Sequence, residues 1–204
     1  MRSDILTRRT ALAGLALLPG CSAITRLNTA ATPRDTYDLR PPAYAPAGPA
    51  IRRNLLVAAP DAPAVLATDR MLIRPTPQTV AYLPDARWSD DVPRLLQSLL
   101  VQTLSGTGRI GYVGTPGAGP VPDVALLLRL DRFEVEAGQI LRAVLSFQAT
   151  LLRDRDQRVI ASRRFAGDTV LANDNAATVA AGFQALLSET LPAAADWVLF
   201  RLAS

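Results

Sequence analysis

The sequence predicts an α/β fold: a mixed, largely antiparallel sheet with two main helices packed on it, behind an N-terminal export segment and tether. Three observations predict it. In the second half, apolar and polar residues alternate through three long runs separated by short turns, the signature of an antiparallel meander. Two segments, one after Ser89 and one after Asn175, instead repeat their leucines every three to four residues, as amphipathic helices do. Between Tyr37 and Tyr82 the apolar runs are short and closed by prolines, which suits buried or edge strands rather than helices.

The chain has 204 residues, 49% of them hydrophobic, with one cysteine and no histidine. Its apolar run from Ala11 to Leu18 follows Arg8 and Arg9 and ends at Pro19-Gly20-Cys21. A charged start, a short apolar middle and a small residue before the cut form a secretory signal. The run is far below the roughly 20 residues a helix needs to cross a bilayer. Cysteine directly after the cut resembles a bacterial lipobox, so residues 1–20 read as a lipoprotein signal peptide and Cys21 as the residue that carries the lipid. Thr7-Arg8-Arg9-Thr10-Ala11-Leu12 also looks like a twin-arginine signal, and the choice of export route stays open. Residues 21–36, polar and without periodicity, form a lipidated tether, and residues 37–204 form the folded domain.

Composition removes several function classes. The formal charge of +4 falls to about +2 once residues 1–20 leave, because 19 arginines then face 17 acids. Every cation is arginine, and these are scattered among carboxylates rather than gathered into the basic stripe a nucleic-acid surface needs. Without histidine the common general base, metal ligand and catalytic triads are missing. With Cys21 acylated, no thiol is left for a disulfide or a zinc site. The sequence therefore implies no cofactor, no metal and no catalytic residue.

The elements follow in order. Tyr37-Asp38-Leu39 reads as a short strand and Pro41 to Pro49 as an extended loop. Asn54 to Ala58 is a strand closed by Pro60, and Pro63 to Leu66 a turn. Arg70 to Arg74 is a second strand, interrupted by Pro75 and Pro77, and Thr79 to Tyr82 resumes as an edge-like third, the two forming a hairpin. Ser89 or Asp90 caps the first helix, Asp91 complements its dipole and Pro93 sits in its first turn. Leu95, Leu96, Leu99, Leu100 and Leu104 make its buried face, and Gly106 stops it. Ile110 to Val113 is a short strand. The loop from Gly114 to Pro120 lacks the lysine and following helix of a phosphate-binding loop and reads as a connection.

In the meander, Val124, Leu126, Leu128 and Leu130 share one parity and Phe133 and Val135 the other. A bulge near Asp131-Arg132 keeps both sets on one face. Leu141 to Leu151 and Arg158 to Val170 or Leu171 are the next strands, joined by a tight turn at Asp154 to Gln157. Glu134 and Glu136 lie on one face, where Arg142 of the neighbouring strand can pair with them. Asn173-Asp174-Asn175 caps the last helix, whose stripe is Val179, Phe183, Leu186, Leu187 and Leu191. Pro192 ends or kinks it, and the small residues Ala180-Ala181-Gly182 let it lie close to the sheet.

This order of features is similar to that of the ABC-type transport auxiliary lipoproteins, of which the PqiC type is one branch. A lipobox precedes a tethered Tyr37-Asp38-Leu39. Leu66-Ala67-Thr68-Asp69-Arg70-Met71-Leu72-Ile73-Arg74 follows, then Tyr82 six residues before Trp88 at the mouth of the leucine helix. Leu128-Arg129-Leu130-Asp131-Arg132-Phe133-Glu134, a meander and a terminal helix complete it. The resemblance implies a non-enzymatic periplasmic component, lipid-anchored and, with Ser22 after the cysteine, sorted to the outer membrane. It implies as partners an MCE-domain protein, an ABC permease and an ATPase, with phospholipid as cargo. Tyr82, Trp88, Arg70 and Arg74 are the candidate partner-binding residues, with core packing as the other reading of Tyr82 and Trp88. Self-association stays open. The alternative is a lipoprotein assisting outer-membrane biogenesis, in lipopolysaccharide or barrel assembly.

Overall fold

The computed structural model describes residues 34–203 apart from Ala118. The signal peptide, Cys21 and the tether as far as residue 33 lie outside the described residues. Eight strands form one curled, mixed sheet. They are β1 (Asp35–Tyr37), β2 (Ile51–Val57), β3 (Arg70–Thr76), β4 (Thr79–Trp88), β5 (Ile110–Gly114), β6 (Val124–Ala137), β7 (Leu141–Arg153) and β8 (Arg158–Val170). The helices are α1 (Val92–Gly106) and α2 (Ala176–Ala203).

Strand β6 is the spine. Along one edge β7 runs antiparallel to it over its whole length, and β8 follows antiparallel to β7. Its other edge is shared. Leu55 to Val57 of β2 pair in parallel with Val124 to Leu126, the chain through Asp61 stays alongside as far as Leu130, and β3 takes over at Val135 and Glu136. The register shift between Leu130 and Arg132 falls at this change of neighbour. One extra residue there restores the apolar parity, so Leu130 and Phe133 both reach the core. The parity switch in the sequence thus marks the place where the sheet forks.

The fork explains why the first half is made of short runs. Strand β2 carries β5 on its far side, in parallel, whereas β3 carries β4 and then β1. Strand β4 continues past Pro84 to Trp88, six residues beyond the expected Tyr82. Pro75 is accommodated inside β3, and only Pro77 and Gln78 separate the two strands. Strand β1 starts two residues before the expected Tyr37. The segment Pro41 to Pro49 has no regular structure but is fastened to α2. Gln184 accepts from the Arg40 N–H at 2.9 Å and donates to the Arg40 carbonyl at 3.0 Å, while Tyr44 donates to Asp196. Burial and that bond to a carboxylate push the Tyr44 phenol up to about 12.

Helix α1 buries Leu95, Leu96, Leu99, Leu100 and Leu104, as its spacing requires. Its N-terminus differs from expectation. Asp91 holds the N-cap position without a side-chain cap bond, Ser89 donates to Asp38 instead, and Asp90 accepts from the Asp91 N–H. Pro93 leaves one fewer donor to satisfy there. At the other end the Thr107 hydroxyl donates to the Leu104 carbonyl at 2.7 Å and Gly108 takes the left-handed turn at φ 65°.

Helix α2 begins where expected, Asn175 accepting from the Thr178 N–H at 2.8 Å. It runs through Pro192 rather than ending there. The carbonyl that loses its donor belongs to Ser188, on the exposed side, where water can replace it. The following turns bury Ala195, Trp197, Val198 and Leu202, which holds the helix together beyond the proline. Gly182 lies against Leu171, Thr169 and Ala143, so the absence of a Cβ does set the close helix–sheet approach. At the centre, Trp88 meets Phe133 and Phe183 edge-on, each at 5.6 Å, and those two rings stack at 4.1 Å. A residue from β4, one from the spine and one from α2 thereby tie the β3–β4 branch and the spine to the helix layer.

Candidate functional site

The sheet face opposite the helices is polar, because the residues of β6 after the bulge that turn away from the core are Arg132, Glu134 and Glu136. Strand β3 lays Arg74 beside them: Ile73 pairs with Val135 and Arg74 with Glu136. Together with Arg142 of β7 and Ile140 of the adjoining turn, they line a groove of about 660 Å³ between the β3–β4 and β6–β7 hairpin ends.

Glu134 is the anchor of this groove. It is 4% exposed, yet both of its oxygens are occupied. Oε2 accepts from Arg74 Nε at 3.0 Å and Nη2 at 2.7 Å, and Oε1 accepts from Arg132 Nε at 2.9 Å. Arg132 also donates to Glu136. Burial alone would raise the Glu134 carboxyl, but the bonds and charges of Arg74 and Arg132 outweigh it and hold the group below the ordinary carboxylate range. The same bond to Glu134 raises the Arg74 guanidinium. A carboxylate kept ionised with its lone pairs filled is a poor proton donor or acceptor, so the groove offers charge recognition and an apolar rim.

This arrangement gives a pH dependence. A folded-state carboxyl below its unfolded value, about 4.3, adds stability above that value and loses it as pH falls through the folded one. The stability advantage of the wild-type chain over Glu134→Gln is therefore expected to be full at neutral pH and to vanish in acid. Denaturant titrations of both proteins across that range measure it; a constant difference would contradict it.

The candidate residues named from the sequence separate. Arg74 belongs to the groove. Arg70 lies over the Tyr82 ring, 4.2 Å from its centroid, and the Tyr82 hydroxyl donates to the Val65 carbonyl at 3.1 Å. Both are half-buried on the β3–β4 hairpin. Trp88 is 1% exposed, so it is a core residue and presents nothing to a partner. Arg142 does not pair with Glu134 or Glu136 as expected. It reaches Asp168 on β8, because Arg132, on the same strand as both glutamates, already holds them. The Arg74–Glu134 pair had no signal in the local pattern: it depends on β3 lying parallel to β6, sixty positions away.

Among the described residues no three His, Cys, Asp or Glu side chains gather in a way that could hold a metal ion. No described helix is long and apolar enough to cross a membrane.

Comparison with known proteins agrees with this architecture. Protein XCC0632 from Xanthomonas campestris, described as a DUF330 protein, is 28% identical, with a TM-score of 0.74 over 82% of this chain and 94% of that one. A further solved structure, an uncharacterized protein at 16% identity, shares the fold with a TM-score of 0.63 over 81% of this chain and 99% of its own. Uncharacterized protein bll6063 from Bradyrhizobium diazoefficiens is 28% identical over 97% of this chain. The chain spans about half the length of that curated relative, 53%. The family model for the ABC-type transport auxiliary lipoprotein component matches residues 37–195. The chain belongs to that family of ABC-transport auxiliary lipoproteins.

Proposed function

We propose that this protein is a lipid-anchored, non-enzymatic periplasmic component of an ABC transport system that works with an MCE-domain protein. Cys21 carries the lipid, residues 1–20 are removed, residues 21–36 act as the tether, and the anchor lies in the outer membrane. In this reading the domain docks the MCE partner and, with the permease and ATPase, helps move phospholipid between the inner and outer membranes. The observation that carries the reading is the family match across residues 37–195, joined to the lipobox that precedes it. A groove whose buried carboxylate is committed to guanidinium partners fits an adaptor better than a hydrolase.

The anchor has its own test. Cells fed a radioactive fatty acid are expected to label the wild-type chain and leave Cys21→Ala unlabelled, with the variant released from the membrane fraction by simple washing. A single myristoyl-type chain binds only reversibly, so a firmly held wild type also reports more than one acyl chain. Equal labelling, or an unlabelled wild type, would contradict lipidation at Cys21.

A further inference from the structure

Among the described residues, β1, β5 and β8 end the sheet, and residues 79–85 of β4 also lie open because β1 covers only Ala86 to Trp88. Strands β1 and β5 are three and five residues long, too short to hold an added strand firmly. Strand β8 is different: it has 13 residues, pairs only with β7, and has no other backbone partner among the described residues. A long unpaired edge is a template for another strand, and folded proteins blunt such edges or use them.

Its chemistry points to use. Arg158, Arg163 and Arg164 are all exposed, and among the described residues none of them is paired with a carboxylate. Arg163 lies over Phe165, 5.2 Å from its centroid, and Arg164 donates to Ser146 at 2.9 Å. Arg163 and Arg164 are thus held in place while their charge stays unmatched. On the neighbouring strands β6 and β7, by contrast, Arg129, Arg132, Arg142 and Arg153 are each matched with an acid. Apolar contacts stand toward both ends of the strand, with Val159 63% and Val170 59% exposed.

From this we infer that β8 docks an extended acidic segment of a partner protein by strand addition. Backbone bonds along the free edge supply affinity. Adjacent acidic residues at the centre of the incoming strand match Arg163 and Arg164, which point to opposite faces, and apolar residues toward its ends meet Val159 and Val170. That the partner is the MCE protein rests on the function proposed above; the edge and its preference for acidic strands do not.

The test keeps the two apart. In the first arm, two capped peptides of alternating Thr and Val are compared, one with two adjacent central glutamates and one with lysines in their place. Hydrogen exchange of the full chain is expected to show slowed β8 amides with the glutamate peptide, bound about tenfold more tightly than the lysine peptide. Arg158→Glu with Arg163→Glu, which leaves the Arg164–Ser146 bond intact, is expected to keep the thermal midpoint and reverse the preference. Equal binding of both peptides, or no protection of β8, overturns the inference and leaves the arginines as guards against edge aggregation. In the second arm the MCE protein replaces the peptide. Binding that is unchanged in the double variant, with β8 unprotected, overturns β8 as its docking strand. Failure of the wild type to bind the MCE protein overturns the partner assignment, and the peptide arm still decides the edge.

Discussion

Trp88→Ala is expected to cost about 3–5 kcal/mol of stability, the range for losing a fully buried large aromatic residue. The effect belongs at the upper end of that range for a structural reason. Trp88 makes edge-on contacts with Phe133 and Phe183 at once, and each such contact contributes about 0.5–1.5 kcal/mol beyond burial. Those partners lie on the spine and on α2, so the cavity cannot be closed by moving one element. The indole Nε1–H is buried without a hydrogen-bond acceptor among the described residues. Trp88→Phe removes that unsatisfied donor while keeping most of the ring, and should lose much less than alanine. Urea or guanidinium unfolding monitored by circular dichroism measures both. Equal losses would mean that the ring contacts do not carry the effect.

Arg74→Ala is the second large loss, about 3 kcal/mol, and it exceeds that of Glu134→Leu. The asymmetry follows from burial. Removing Arg74 strips two donors from a carboxylate whose side chain is 5% exposed and leaves it facing Arg132 alone. Removing Glu134 instead leaves Arg74, 25% exposed, able to regain water, and Arg132, 31% exposed, still held by Glu136. An apolar side chain in place of the carboxylate also avoids stranding a charge. The double variant Arg74→Ala/Glu134→Leu should therefore recover part of the loss of Arg74→Ala. A double variant as unstable as the sum of the two single changes would show that the groove is not organised around this pair.

The elements that local pattern specifies were legible from sequence. The change of parity between Leu130 and Phe133 located the bulge, the leucine spacing located α1, and Asn175 located the start of α2. Ser89 reads locally as a cap of α1, yet it is drawn to Asp38 by the return of the chain from β1. That is a contact fifty-one positions apart, which no window around the helix reveals. The proline in α2 was read for its local cost, whereas burial of Trp197, Val198 and Leu202 beyond it decides the outcome. The groove was half visible. Its acids and Arg74 stood out as candidates, but their pairing needed the parallel β3–β6 contact and the fork at Asp131. Trp88, a candidate by its position at the helix mouth, is instead a core residue that ties the β3–β4 branch to the spine and α2.

The transporter partnership is tested most directly by one measurement. The full chain, tagged at its C-terminus and solubilised from the membranes of its own cell, is isolated after mild cross-linking and its companions identified. The MCE-domain protein, permease and ATPase of one system are expected to co-isolate with it. Recovery of acylated, folded protein without any of the three, or with lipopolysaccharide or barrel-assembly components in their place, would contradict the proposed role.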